Sequence, residues 1–387
     1  MKITGVKTYL FDPGTAKNLL FCRVDTDEGI HGWGEGYVVA GKEKAVEAYI
    51  QGMAPHLIGR GPFNIKHTGQ VMFDDFVTKR SSPDFYCAWS AIEIALWDIV
   101  GKKLGQPIYN LLGGPSREKI RVYANGWRQG AKTIDEVAER AARVVQSGFS
   151  AMKFDPFPGP WRQFISRKDE DHAVETVRRV REAVGPDVDL LVEVHRRLAP
   201  MHAIRVARRM EEFNPFWYEE PCLSDNIDLV AQAKREIRIP VVTGEALHTK
   251  ADFKEVFERQ AADIINPDSC GCGGILALLE IAAMAEPYAV AVSPHNYNGT
   301  AIGLAATAHI SAVATNFLIA ECFLNLKPAC DEIMVKPLEV ENGFVELPTE
   351  PGLGIDIDVA KLERRPFREP KKEIRHYWEE YPRQGHL

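Results

Sequence analysis

The chain has 387 residues, 45% of them hydrophobic and 26% charged, and a formal net charge of −7. Single cores stop growing near ~250–300 residues, so this length calls for a large domain plus a second module. The negative balance argues against nucleic acid or an anionic membrane as partner, and no apolar run approaches the ~20 residues that cross a bilayer. Residues 1–6 read as a strand, without the charged leader and apolar stretch of a signal peptide, which points to the cytoplasm. The 7 cysteines are scattered through apolar segments, as expected of reduced, buried thiols. Cys270-Gly-Cys272 lacks a second ligand pair at zinc spacing and reads as a tight turn with Gly271, Gly273 and Gly274.

In chain order, Ile3–Leu10, Leu19–Thr26 and the run ending at Gly32–Gly36 read as an antiparallel meander. Helical spacing follows over residues 42–77, then a polar loop at Lys79–Pro83 and a longer helix from Ala88 to Leu104 stopped by Gly105. The first module is placed at residues 1–117. Over residues 118–342 the pattern becomes strand then helix, repeated. Candidate strands are Ile120–Asn125, Ala151–Asp155, Asp189–His195, Trp217–Glu220, Val241–Glu245, Asp263–Asp268, Ala289–His295 and Phe317–Glu321. An open doubly wound sheet fits a similar string. A closed (β/α)8 TIM barrel is preferred because nearly every candidate strand ends in a polar functional group, and no glycine-rich dinucleotide fingerprint follows the first strand. Residues 343–387 are expected to return to the first module.

Glu193, Glu219 and Glu245 stand at three successive strand ends. Any one alone is adequately explained as a helix cap or a salt-bridge partner. Three converging like charges would each raise the others' pKa, and a bound cation removes that conflict. All-oxygen ligation with open positions suits Mg2+ better than zinc. Glu220 should face the other side of its strand, behind the ligands.

Of 11 histidines, most have ordinary readings. His31, His56, His67, His376 and His386 fall in surface or loop stretches; His172 and His202 open helices, where capping or exposure is expected; His309 lies in an apolar core helix. His248, close after Glu245, is a weaker candidate to reach substrate. His295 ends a buried strand beside the strand ending on Asp268, so a hydrogen-bonded dyad able to accept a proton is expected, against a purely structural pairing. His195, two residues after Glu193 on one strand face, is read as an acid donating to a leaving group, with metal ligand and core residue as alternatives. Lys153 and Asp155 repeat the two-apart spacing. Lys153 would bind a substrate carboxylate or an oxygen next to the metal, Asp155 would accept hydrogen bonds from substrate hydroxyls, and Glu321, keeping its proton, would donate to a substrate carboxylate.

Together these residues resemble the enolase superfamily, in its mandelate racemase branch. The resemblance rests on Ala88–Lys102 with Pro107 and Leu111-Leu-Gly113, on Tyr218-Glu-Glu-Pro221, Gly244-Glu245, Asn266-Pro-Asp268 and Pro294-His295. It implies a modified (β/α)8 barrel under an α+β capping domain built from both chain ends, Mg2+ on Glu193, Glu219 and Glu245, and Asp268–His295 as the base dyad. Two departures stand out. Racemases of the branch carry a second lysine where this chain has Asp155, and most members have aspartate at Glu193. His195 looks like the acid of galactonate, gluconate and mannonate dehydratases. Val122–Trp127, with Asn125 as a substrate-binding residue, and Met152–Phe157 look most like gluconate/galactonate dehydratases.

The resemblance implies a small-molecule acid sugar as substrate, an enolate intermediate and a 2-keto-3-deoxy acid as product. It also implies a homo-oligomer, since the branch usually assembles. A cycloisomerase or epimerase of the same branch, a hydrolase with Glu193 and His195 as joint metal ligands, and an inactive sugar-acid-binding protein are the competing readings. Substrate choice is expected to lie with cap loops at residues 10–18 and 74–85.

Overall fold

A computed structural model of the chain describes residues 1–297, 299, 301–371 and 375–377. The expected surface position of His386, with the end of the C-terminal segment, lies outside them. Strands β1 (Ile3–Phe11), β2 (Leu19–Thr26) and β3 (His31–Gly36) form the antiparallel meander in the order β1-β2-β3. Against it packs the helix Pro83–Leu104, which starts five residues before the expected Ala88. The Ser-Pro pair expected in a loop begins that helix: the Ser82 hydroxyl accepts from the Phe85 amide at 3.3 Å, Pro83 needs no amide partner in the first turn, and Gly105, at φ 65°, ends it.

Helix and meander approach closely because β3 is glycine-rich on that side. A Cβ at Gly34 would stand 1.7 Å from the Ala91 carbonyl oxygen, and one at Gly32 would stand 2.0 Å from that of Ala95.

Eight parallel strands follow: β4 (Lys119–Asn125), β5 (Ala151–Phe154), β6 (Asp189–Glu193), β7 (Trp217–Glu219), β8 (Val241–Thr243), β9 (Ile264–Ile265), β10 (Ala291–Val292) and β11 (Ala320–Phe323). Each pairs with the next from β4 to β10, and β11 pairs with β4. Val292 closes the ring by donating to the Asn316 carbonyl at 2.9 Å and accepting from the Leu318 amide at 2.8 Å. The hairpin β12 (Val340–Glu341) and β13 (Phe344–Glu346) adds antiparallel to the start of β4. Beyond it, Leu353 donates to Asp98 at 2.9 Å and Arg368 to Asn18 at 2.9 Å, so this segment lies against the meander module.

Two buried carboxylates of that module hold it on the barrel by capping barrel helices. Glu93 accepts from the amides of Ile275 and Leu276 at 2.8 and 3.0 Å, at the start of the helix Ile275–Ala285. Glu35 accepts from the amide of Gly303 at 2.8 Å, in the first turn of the helix Ile302–Val313. Each satisfies amides that a helix start leaves open, at its positive end. No described helix is long and apolar enough to cross a membrane.

Gly34→Ala should cost about 3 kcal/mol or more, the upper range for overpacking, since backbone rather than a flexible side chain must yield. It would be read as an earlier midpoint in urea denaturation. An unchanged midpoint would mean that the helix moves away freely.

Candidate active site

Inside the barrel, Tyr123, Ala151, Leu191, Trp217, Val242, Ile264 and Ile319 form one buried apolar cluster. Inward-facing residues recur every second position on a strand, so the next layer up is Asn125, Lys153, Glu193, Glu219, Gly244, Asn266 and Glu321. That layer is almost wholly polar and sits where the strands end. At β8 the inward place falls on Gly244, at φ 139°; a Cβ there would come within 2.8 Å of Phe253, and the carboxylate is supplied by the next residue, Glu245.

Glu193, Glu219 and Glu245 each offer one oxygen within 4.8 Å of the others, and all three are buried. Glu219 is held from below and beside: its Oε1 accepts from Lys153 Nζ at 2.7 Å and Asn266 Nδ2 at 2.9 Å, its Oε2 from Trp217 Nε1 at 2.9 Å. Glu245 pairs with the Arg196 guanidinium and lies 3.1 Å from His295 Nε2. Glu193 spends Oε1 on the His195 amide at 2.6 Å, while its buried Oε2 has no hydrogen-bond partner. Burial, then Glu245, pushes Glu193 up to about 7; burial, then Glu193, pushes Glu219 well above the carboxylate range. In Glu245, Arg196 and His295 outweigh burial and hold the carboxyl well below it. An orphaned oxygen, mutual repulsion and an all-oxygen donor set together fit a divalent cation.

Glu220 faces away, accepting from Thr243 Oγ1 at 3.0 Å and the Gly244 amide at 2.8 Å.

Lys153 also lies 2.9 Å from Glu321 Oε1 and 3.5 Å from Glu193 Oε2. Burial works against its charge, but Glu219 and Glu321 outweigh burial and raise its pKa. Glu321 departs from expectation. Burial would favour its proton, yet Lys153 and His295 bring it down to about 2, so it is an ionised acceptor and not a donor. Asn125 also departs: its Nδ2 donates to Glu321 Oε1 at 2.7 Å and its Oδ1 accepts from Gly126, so its side chain positions Glu321 even though Asn125 lines the cavity.

His295 Nδ1 lies 2.8 Å from Asp268 Oδ2, which leaves Nε2 toward Glu245 and toward Glu321 at 3.5 Å. Burial opposes its charge; Glu321, Glu245 and Asp268 overcome that and raise its pKa. A cation among the carboxylates would withdraw part of this hold and free Nε2 to accept a proton.

His195 reaches the same cavity by a route that strand alternation does not describe. β6 ends at Glu193, and His195 and Arg196 take φ of 55° and 59°, turning the chain over the mouth. The ring's Nδ1 is 2.8 Å from Asp155 Oδ2. Asp155, expected to meet substrate hydroxyls, is thus occupied by His195 and by the Arg197 guanidinium. Among the described residues the side chains whose ligand atoms come close enough to share an ion are Glu193, Glu219 and Glu245, without His195, so the joint Glu193–His195 set a hydrolase would need is not assembled.

The cavity, about 960 Å³, is lined by Lys153, Asp155, Glu193, His195, Arg196, Glu245 and His295 below. Its walls include Trp161, Arg128 and Gln129 of the barrel loops and Tyr37, Val39 and Ala40 of the meander module. The cap loops at residues 10–18 and 74–85 do not line it; the cap contributes the segment just after β3. From the first loop, Lys17 Nζ instead donates to the Tyr297 carbonyl at 2.9 Å. His248 lies elsewhere, against the Gly271 carbonyl at 2.8 Å and stacked on Tyr86. His202 is buried, not exposed, at 2.7 Å from Glu170, because its helix start packs against the helix Arg167–Val184. His309 accepts from the Tyr109 amide in the core at 3.3 Å. Sequence reasoning missed Asn266, Arg196, Arg197 and Trp161. Asn266 was recoverable, two positions beyond inward-facing Ile264; the others depend on turns.

Residues 136–361 match the enolase C-terminal domain-like family, and residues 12–113 match the mandelate racemase/muconate lactonizing enzyme N-terminal domain. The chain belongs to the mandelate racemase branch of the enolase superfamily. It is 34% identical to a D-galactonate dehydratase of Ralstonia pickettii (strain 12J) over 96% of both chains. It is 33% identical to a D-gluconate dehydratase of Thermoproteus tenax over 94% of this chain and 72% of that one. A crystal structure of a mandelate racemase/muconate lactonizing enzyme from a Sulfitobacter species superimposes with a TM-score of 0.89 at 33% identity, covering 97% of this chain and 100% of the other. The chain is accordingly an enzyme of this superfamily, grouped by its relatives with the dehydratases, which are hydro-lyases.

Because Glu193 and Glu219 hold protons more tightly folded than unfolded, the cation-free protein loses stability as pH rises from about 4.5 through about 7. A divalent cation takes the protons' place. Added Mg2+ or Mn2+ should therefore raise the melting temperature little at about pH 5.5 and clearly at about pH 8. Glu219→Gln should weaken the effect, and equal rises at both pH values in the variant would place the cation elsewhere.

Proposed function

We propose that the chain dehydrates a sugar acid, an aldonate of the gluconate or galactonate type, to a 2-keto-3-deoxy acid with Mg2+ as cofactor. The observation that carries this is the pair of imidazoles in one cavity with Glu193 and Glu245 of the carboxylate trio, each ring with Nδ1 engaged by an aspartate, His295 by Asp268 and His195 by Asp155. The names of the relatives from Ralstonia pickettii and Thermoproteus tenax support the substrate class.

Held by Glu193, Glu219 and Glu245, Mg2+ would supply the positive charge that acidifies the carbon next to the substrate carboxylate. His295 removes the C2 proton at Nε2, since Asp268 occupies Nδ1. Lys153, charged and buried, faces the developing negative charge on the carboxylate oxygens. His195 delivers a proton from Nε2 to the C3 hydroxyl, which departs as water when the C2–C3 double bond forms. The resulting enol takes up a proton at C3 and becomes the 2-keto-3-deoxy acid. Acid and base terms of ~10²–10⁴-fold each leave the larger share to the buried charges. An epimerase would need a second base opposite His295; the lysine expected there is replaced by Asp155, whose carboxylate is committed to His195.

Incubation of the Mg2+-loaded enzyme with a panel of aldonates and aldarates, assayed for 2-keto-3-deoxy acid, tests the reading. His295→Asn should abolish both product and exchange of the C2 hydrogen with deuterated water, whereas His195→Asn should lose product and keep exchange. Exchange lost only in His195→Asn would reverse the two roles, and no product from any acid would end the proposal.

A further inference from the structure

The surroundings of His195 repeat those of His295 in one detail. Asp268 uses Oδ1 to accept the amide two residues on, Cys270, at 2.8 Å, and Oδ2 for its imidazole. Asp155 does the same, accepting the Phe157 amide on Oδ1 at 2.9 Å and giving Oδ2 to His195 Nδ1. In each case a turn closed on itself fixes the carboxylate, and the carboxylate fixes the ring. Around His195 the fixing goes further. Arg197 meets Asp155 Oδ2 from the other side and is itself anchored by Nε on the Val194 carbonyl at 2.9 Å. Trp161 covers one face of the imidazole, ring centroids 4.6 Å apart and planes 19° from parallel, and the Arg197 guanidinium lies 5.2 Å from the same indole. The His195 amide is tied to Glu193. Among the described residues the ring's Nε2 has no hydrogen-bond partner, and His195 lines the cavity.

We infer that Asp155, backed by Arg197 and Trp161, is the positioning residue that aims His195 Nε2 at the substrate's leaving hydroxyl. This rests on the dehydratase reading for its consequence and not for its geometry. A ring set at a left-handed turn, with 29% of its side chain exposed, is otherwise free to swing toward solvent. Asp155 holds one edge, Trp161 one face and the backbone one end, so a proton leaves or enters through a single atom at a fixed place. His295 needs no such cage because the barrel interior surrounds it. Acid and base are therefore separable: loosening Asp155 should disturb proton delivery to the leaving group without touching proton removal at C2.

Asp155→Asn in the Mg2+-loaded enzyme tests this. Dehydration should fall on the order of 10²–10⁴-fold, the range for a general acid, with C2 exchange in deuterated water retained. KM should stay within about threefold, since the lost interaction belongs to the transition state. Independently of turnover, 15N-histidine spectra, with the His195 signals assigned by their loss in His195→Asn, should show Nδ1 proton-bearing in the native protein and a changed ring pattern in Asp155→Asn. Arg197→Lys, which frees one side of Asp155 and keeps the Asp155–His195 bond, should give a smaller loss in the same direction and guards against a misfolded first variant. Equal loss of exchange and dehydration, or an unchanged His195 spectrum, would overturn the inference. If the native enzyme dehydrates no acid in the panel, the functional reading fails while the spectra still decide the positioning role.

Discussion

Three buried glutamates with oxygens within 4.8 Å of one another, at the floor of the barrel mouth, set the terms for everything around them. Their repulsion is only partly met from the protein side. Lys153 sits under Glu219 and near Glu193, and Arg196 and His295 take Glu245, yet one oxygen of Glu193 remains without a hydrogen bond. Two cationic side chains and an imidazole against these three acids and Glu321 leave a repulsion that retained protons or a bound cation would relieve. A dense, unsatisfied cluster of this kind destabilises the fold and persists where charge has to be offered to a ligand. The choice of oxygen donors follows from it, as does the need to keep the cluster rigid.

Rigidity is supplied in layers. Beneath the acids lies the apolar plug of Tyr123, Leu191, Trp217, Val242, Ile264 and Ile319, whose Trp217 also donates its indole N–H to Glu219. Beside them stand residues that hold the functional ones: Asn266 on Glu219, Asn125 on Glu321, Glu220 on the backbone of the β8 turn. Above, the meander module leans over the mouth with Tyr37, Val39 and Ala40, and is itself kept there by Glu35 and Glu93 on barrel helix ends. A carboxylate from one module closing the N-terminus of a helix in the other couples the cap's position to the barrel's own helices. The cavity's roof is thereby set by the same kind of interaction as its floor, a buried acid meeting oriented N–H groups.

The two imidazoles differ in how the chain presents them. His295 belongs to the interior and its orientation follows from the dyad with Asp268. His195 hangs on a left-handed turn at the rim, and three side chains from the loops after β5 and β6 are spent on holding it. The unequal expense suits unequal duties. In the proposed reaction the interior ring would act at the carbon beside the carboxylate, where the barrel already fixes it, and the rim ring at the departing hydroxyl, where only its own cage does.

The sequence by itself determined the meander, the eight strands and the inward-facing acids, because strand period, helix spacing and polar strand ends are local properties that survive without coordinates. Lys153, Glu193, Glu219 and Glu321 were legible for that reason, being strand residues in step with an apolar layer two positions below. Where the chain leaves the strand, that ruler stops. Tertiary structure alone decided that His195 arrives by a turn and not by alternation, that Asp155 faces a histidine and not a hydroxyl, that Glu321 is ionised, that Asn125 serves Glu321, and that the cap offers Tyr37 to Ala40 and not its longer loops. Each of these depends on which distant groups share a space. Charge state and hydrogen-bond partner are set by neighbours within a few ångströms, and spacing along a chain carries no information about neighbours that only folding brings near.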